Sequence, residues 1–251
     1  MPRDRRRDLV TFYAFCRTID DIADDPERTP TRKQEELAAW KSALTDSRRP
    51  PGALEAEVRD LRARHRLAPD LFLEIIRGCE SDISPQRFET MEDLRQYTYR
   101  VAGAVGLLSL PLFGASPDSR HYAVTLGHAL QLTNILRDVG EDLSNDTRIY
   151  LPLADLARFQ YSPDDLMAHT HDDRFLALMN FEAARAENLL TEAANSLPAA
   201  DRRALRPAEI MRAIYFRLLD QMRRDRFRVF DRRYRLSPWR KFAILAQKSI
   251  C

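Results

Sequence analysis

The stretch from Leu9 to Asp25, LVTFYAFCRTIDDIADD, decides how this chain is read. Leu9, Phe12, Cys16, Ile19 and Ala23 recur at spacings of three and four, which predicts an amphipathic helix from about Arg5 to Asp24. Pro26 and Pro30 stop the pattern, and Asp20, Asp21, Asp24 and Asp25 crowd its C-terminal end. The helix dipole already disfavours negative charge there. Asp20 and Asp24 also share a face, where like charges cost roughly a few tenths of a kcal/mol. A local rule broken in this way is expected where a bound ligand or cation supplies the compensation.

The same design returns in residues 134–142, NILRDVGED, where Asn134, Asp138 and Asp142 fall at four-residue steps on one helical stripe. Oxygen donors with no histidine or cysteine nearby favour magnesium over zinc. Magnesium takes one or two carboxylates and shares its remaining positions with water and phosphate oxygens. A calcium EF-hand is excluded because its loop spacing is missing. The reading is two half-sites of one magnesium-diphosphate clamp, with Arg17, Arg137 and Arg148 as the arginines that would hold phosphate oxygens. For these arginines the alternative is ion pairing with the same aspartates.

The rest of the chain predicts further helices and no strands. Helices are expected over Thr31 to Leu44, Ala53 to His65, Pro69 to Ile83, Met91 to Phe113, Pro117 to Asp142, Asp172 to Ser196 and Pro207 to about Arg228, with a last one over Leu236 to Ser249. The stretch from Met91 to Phe113 is nearly uncharged and belongs at the centre of a bundle. Gly103 and Gly106 each cost a helix about 1 kcal/mol relative to alanine, so something approaches the backbone closely there. Tight helix packing and a groove for a long apolar ligand both fit.

Composition removes other classes. With 251 residues the chain can bury one sizeable core, and no linker is long enough to divide it. Cys16, Cys79 and Cys251 are too few and too scattered for a disulfide framework or a zinc site, which implies a reduced, cytoplasmic setting. No apolar run approaches a membrane span, and the charged start has no signal-peptide core behind it. The formal charge of +2 is the remainder of 40 basic and 38 acidic side chains, so only its distribution is informative.

The segments Phe12 to Asp25, Gln131 to Asp142 and Arg148 to Pro152, with Tyr97 to Gly106 and Ile210 to Tyr215, resemble the signatures of the squalene/phytoene synthases over nearly the whole chain. The resemblance implies an all-α, single-domain isoprenoid-synthase bundle with a central channel, and head-to-head condensation of two allylic prenyl diphosphates through a cyclopropyl intermediate. It implies Mg2+ on Asp20, Asp24, Asn134, Asp138 and Asp142. Tyr13, Arg17, Gln131 and Arg137 would line the polar mouth, and Val101, Ala102, Val105 and Gly106 the apolar channel. Tyr215 and Tyr97 are expected either to stabilise carbocations with their ring faces or to serve as ordinary core packing. In the family a further helix with a serine-phenylalanine pair precedes the segment matching Pro2 to Asp8. This sequence begins after that point, so the expectation is a channel without that wall.

The specific expectation is two farnesyl diphosphates giving presqualene diphosphate and squalene-type products, with NADPH if the reaction proceeds to squalene. The alternative is phytoene from two geranylgeranyl diphosphates, and one of another class is a non-catalytic assembly module on the same fold. Between Arg217 and Lys241 ten basic residues face three acidic ones, interleaved with Phe227, Phe230, Tyr234 and Trp239. A solvated face is the plain reading, peripheral contact with an anionic membrane surface the functional one, and nucleic acid is not expected. Arg228 is aligned, across a gap, with a diphosphate-binding arginine of the family. His169 and His171, beside a helix-starting Asp172, read as capping chemistry rather than a metal site.

Overall fold

The computed structural model describes residues 3–46, 48, 50–84, 86–146 and 148–235. Helix α1, Arg3–Asp24, buries Phe12, Phe15, Ile19, Ile22 and Ala23, a stripe turned slightly from the predicted one, with Leu9 and Cys16 on its partly buried margin. Phe15 meets the Trp40 and Phe72 rings edge-on at centroid distances of 5.4 and 5.2 Å. No glycine caps α1. Instead Arg28 Nη1 donates to the Asp21 carbonyl and Lys33 Nζ to that of Ala23, supplying partners and positive charge at the negative end of the dipole.

Helices α2 (Pro30–Thr45), α3 (Ala53–His65) and α4 (Pro69–Ser81) pack on α1 around this aromatic cluster. Two of them place proline in the first turn, where its missing N–H costs nothing. The central stretch from Met91 to Phe113 is three pieces: α5 (Met91–Thr98), a π turn over Tyr99–Gly103, and α6 (Ala104–Phe113). Helix α7 runs from Arg120 to Asp146 through the middle of the molecule, with α10 (Asp173–Ser196) and α11 (Arg206–Arg224) beside it. Two short helices, α8 (Leu153–Arg158) and α9 (Pro163–Met167), occupy a region where no helix is predicted. Among the described residues there is no strand, only an isolated bridge between Arg87 and Ile149.

The glycines of this region sit at close helix contacts. A Cβ at Gly106 would lie 2.5 Å from the Ala123 carbonyl oxygen on α7, and one at Gly103 2.9 Å from the Tyr99 ring. Gly78 on α4 and Gly127 on α7 grip the π turn from both sides, where added Cβ atoms would meet Val101 Cγ1 at 2.5 Å and the Ala102 oxygen at 2.7 Å. These glycines let α4, the π turn, α6 and α7 approach each other, so close helix packing accounts for Gly106 on the side that meets α7.

The helix predicted over Pro207 to about Arg228 ends four residues early, at Arg224. Arg226 and Phe227 then take left-handed conformations, with φ of 54° and 49°, and turn the chain back onto α7. Phe227, Val229 and Tyr234 are buried, and the Val229 carbonyl packs directly on Gly140. This return places residues 228–234 beside the acidic part of α7. The helix predicted over Leu236 to Ser249 lies outside the described residues, as does Cys251.

Candidate diphosphate site

On α1, Asp20 and Asp24 share one exposed stripe with Tyr13 and Arg17, below Val10. Arg17 pairs with Asp20 at 3.2 Å and with Asp21 at 2.7 Å, all three side chains being more than half exposed. The Asp20 carboxyl is raised above its ordinary value by lost hydration and by the Asp24 charge, with Arg17 opposing. Because Asp20 stays half exposed, we give the Asp24 repulsion more weight than desolvation.

On α7 the same stripe is less solvated. The Asp138 and Arg137 side chains are 14% and 18% exposed, and Arg137 donates twice to Asp138, at 2.8 and 2.5 Å. Burial would lower the Arg137 pKa, but these bonds outweigh it and raise it; Tyr215 lies alongside and acts in the same direction. Asp142 is pushed up to about 7, first by burial and then by Asp138, against the pull of Arg148. Asn134 Nδ2 donates to Gln131 Oε1 at 3.4 Å, and Asn134 Oδ1 is buried without a partner among the described residues.

Arg148 stands between the stripes. Its Nη1 bonds Asp24 at 3.2 Å and its Nη2 the Asp82 carbonyl at 3.0 Å, while its charge also acts on Asp20 and Asp142. Arg233 reaches back from the turn after α11, with Nε on Asp138 at 3.1 Å and Nη1 on Glu141 at 3.0 Å. So the arginines that would meet a diphosphate are paired with the carboxylates that would meet a cation. For Arg17 and Arg137 the structure shows the ion-pair arrangement.

Among the described residues no group of three or more His, Cys, Asp or Glu side chains converges as a ready-made cation cage. The donors nonetheless fit magnesium held partly by phosphate oxygens. All are oxygens, Asn134 Oδ1 is an orphan acceptor, and Asp20 and Asp142 each lie beside a like charge whose repulsion a cation would relieve.

Several expected residues fall elsewhere. Tyr97 is buried, its hydroxyl donating to Asp82 Oδ2 at 2.8 Å and its ring packed on Phe88 and Tyr150, rather than offering a face to a channel. Arg228 bonds Asp231 at 2.9 Å and borders a cavity of about 460 Å³ with His169, His171 and Phe230, away from the acidic stripes. The arginine on α7 is Arg233, five residues on, because the chain turns at Arg226 instead of continuing as helix. Val101, Ala102 and Val105 are partly buried on the π turn and α6. Asp172 caps α10 through the Phe175 N–H, His171 bonds the Arg226 carbonyl, and His169 stacks on Phe230, in keeping with the capping reading.

Sequence reasoning missed Asp82, Tyr150 and Arg233. Tyr150 lies inside the quoted Arg148 to Pro152 segment and was the most accessible of the three. In the basic segment Arg223, Arg224, Arg226, Arg228, Arg232 and Arg233 each pair with a carboxylate, the pattern of a solvated face. Trp239 and Lys241 lie outside the described residues. No helix among those described is long and apolar enough to cross a membrane.

Comparison with known proteins agrees with this geometry. The family model described as squalene/phytoene synthase matches residues 1–240. The 15-cis-phytoene synthase of Synechococcus elongatus is 35% identical over 98% of this chain and 84% of its own length. The phytoene synthase of Arthrospira platensis is 36% identical over 98% and 84%. A crystal structure of a dehydrosqualene synthase in complex with ligand superposes with a TM-score of 0.86 at 30% identity, covering 100% of this chain and 88% of that one. Squalene synthase HpnC from Alicyclobacillus acidocaldarius gives 0.79 at 27%, covering 90% and 86%. With two acid stripes on an all-α bundle of this form, the chain belongs to the squalene/phytoene synthase family.

Proposed function

We propose that this chain joins two geranylgeranyl diphosphates head to head to form phytoene, through a cyclopropyl diphosphate intermediate. The observation that carries the chemistry is the pair of acid stripes on α1 and α7 with Arg148 between them. The preference for two C20 substrates over two farnesyl diphosphates comes from the phytoene synthases among the relatives. It replaces the squalene-type product as the leading reading. Joining two allylic fragments without an electron donor requires loss of protons, so this reading needs no NADPH.

Asp20, Asp24, Asp138 and Asp142, with the Asn134 amide oxygen, would hold magnesium, which when bound supplies charge neutralisation for the departing diphosphate. Arg148 and Arg17 on one side, Arg137 and Arg233 on the other, exchange carboxylate partners for phosphate oxygens as the substrate enters. That exchange keeps guanidinium charge where negative charge develops on the leaving group, and little reorientation is needed at the moment of ionisation. Tyr215, whose hydroxyl acts on Arg137, would stabilise the cation with its ring. Val101, Ala102 and Val105 supply apolar surface that keeps water from the cation.

The test is incubation of the protein with C15 or C20 prenyl diphosphate and Mg2+, with and without NADPH, and identification of the hydrocarbon. The expected result is a C40 product from C20 substrate, unaffected by NADPH. A C30 product only, or one strictly dependent on NADPH, would return the reading to squalene-type synthesis. No product with either substrate would favour a non-catalytic module.

A further inference from the structure

Asp82 lies outside both acid stripes, just beyond the end of α4, and its side chain is held from two sides. Tyr97 on α5 donates to Oδ2 at 2.8 Å, and Tyr150, in the segment after α7, donates to Oδ1 at 3.0 Å. The Tyr97 and Tyr150 rings are 5.3 Å apart and both pack on Phe88, so the two hydroxyls arrive on a rigid aromatic floor. The Asp82 backbone carbonyl accepts Arg148 Nη2 at 3.0 Å, and the other end of that guanidinium bonds Asp24 on α1. One residue therefore ties α4, α5 and the Arg148 segment together beneath the gap between the stripes.

A carboxylate in this position is costly to keep. It is pushed up to about 6 by burial, against the two tyrosine hydrogen bonds and Arg148, while the cap of α4 is made by the backbone N–H of Asp82 and needs no carboxylate. Only a carboxylate offers acceptors to two hydroxyls at once on separate oxygens. Tyr150 is two residues from Arg148, so holding its ring fixes the backbone from which Arg148 extends, while the Asp82 carbonyl fixes the far end of the same side chain.

We propose that Asp82 is a positioning residue for the diphosphate site: through Tyr150 and its own carbonyl it sets the place of Arg148 between the stripes. This rests on the reading of the stripes as one diphosphate site. Asp82 makes no contact with the substrate in this account; its effect passes through Arg148.

The experiment measures binding of inorganic diphosphate in Mg2+ by calorimetry, with thermal unfolding in parallel, for the intact protein and for Asp82→Asn, Tyr150→Phe, Arg148→Met and each of the first two combined with Arg148→Met. Asp82→Asn is expected to weaken diphosphate binding about tenfold, in the range seen when the support of a binding residue is removed. Tyr150→Phe, which removes one hydroxyl, acts in the same direction. In the Arg148→Met background either change is expected to add less than about twofold, because groups acting through one partner are not additive. Equal losses in both backgrounds would make Asp82 a purely structural residue and overturn the proposal, as would unchanged binding in Asp82→Asn. If the unmodified protein does not bind diphosphate, the site reading itself falls and the inference falls with it. Should Asp82→Asn not fold, Tyr150→Phe with and without Arg148→Met decides by the same criterion.

Discussion

The two acid stripes use the same residues in different surroundings. On α1, Asp20, Asp24 and Arg17 stand more than half exposed on a helix whose other face is packed with aromatic rings. On α7, Asp138 and Arg137 are nearly buried, doubly bonded to each other and covered by Arg233 from the returning chain. In water, the exposed pairs contribute little to folding and are readily exchanged for a ligand. The buried pair is different, because breaking it strands a charge with little hydration. We read α1 as the half that adapts and α7 as the half that is preformed.

Substitution at matched positions sharpens this contrast most. Asp20→Asn and Asp138→Asn should each lower kcat/KM with prenyl diphosphate on the order of 10²–10³-fold, the scale for loss of one electrostatic group at the reacting centre. Stability should separate them. Asp138→Asn leaves Arg137 and Arg233 short of a partner and should cost about 3 kcal/mol in denaturant unfolding. Asp20→Asn relieves a repulsion and should be neutral or stabilising by a few tenths, roughly the i,i+4 scale. A larger destabilisation from Asp20→Asn would reverse the assignment of the two halves.

Next in size is the joint between the halves. Gly106→Ala drives a methyl into the Ala123 carbonyl, a backbone atom that cannot rotate away, and should cost about 1–3 kcal/mol in chemical denaturation. An unchanged midpoint would mean that α6 and α7 are free to separate and that close packing does not explain this glycine.

The foundations of the two halves should also answer to pH with opposite sign. Near the start of α1, burial would raise the Asp8 carboxyl, but hydrogen bonds from His65 at 2.6 Å and Arg64 at 2.5 Å outweigh it and hold it below its ordinary 3.8. That stability is present above the ordinary value and is lost as pH falls through the lowered one. In α10, burial and the neighbouring Asp155 raise Glu182 above its ordinary 4.5, with the shared Arg185 opposing. That stability is full below 4.5 and declines as pH rises through the higher folded value. Unfolding curves of Asp8→Asn and Glu182→Gln across pH check both signs: the first should flatten the acid limb, the second the neutral one.

The smallest effect is expected at the surface. Arg17→Ala should change stability by no more than about 0.5 kcal/mol while weakening diphosphate binding, because its partners are solvated without it.

Both stripes were legible in the sequence because helical spacing alone places Asp20 with Asp24, and Asn134 with Asp138 and Asp142. What lay between them was not. Arg233 joins Asp138 across 95 positions, by a left-handed turn at Arg226 and Phe227 that nothing in those side chains announces. Asp82 is a single carboxylate at the end of a predicted helix, with partners 15 and 68 residues away. The π turn is hidden because a change of winding over five residues is too short to shift the helical pattern. Helix α9 had a visible signal, the Ser162 to Asp165 capping box, but five residues are too few for periodicity to show.

The claim on which the rest depends is that α1 and α7 carry two halves of one clamp. Calorimetric titration of Asp20→Asn, Asp138→Asn and the double variant with inorganic diphosphate in Mg2+ tests it most directly. One clamp predicts that each single change removes most of the affinity and that the double variant is little worse than the weaker single. Losses that simply add, or a single variant that binds as tightly as the unmodified protein, would show two independent acidic patches and contradict the account.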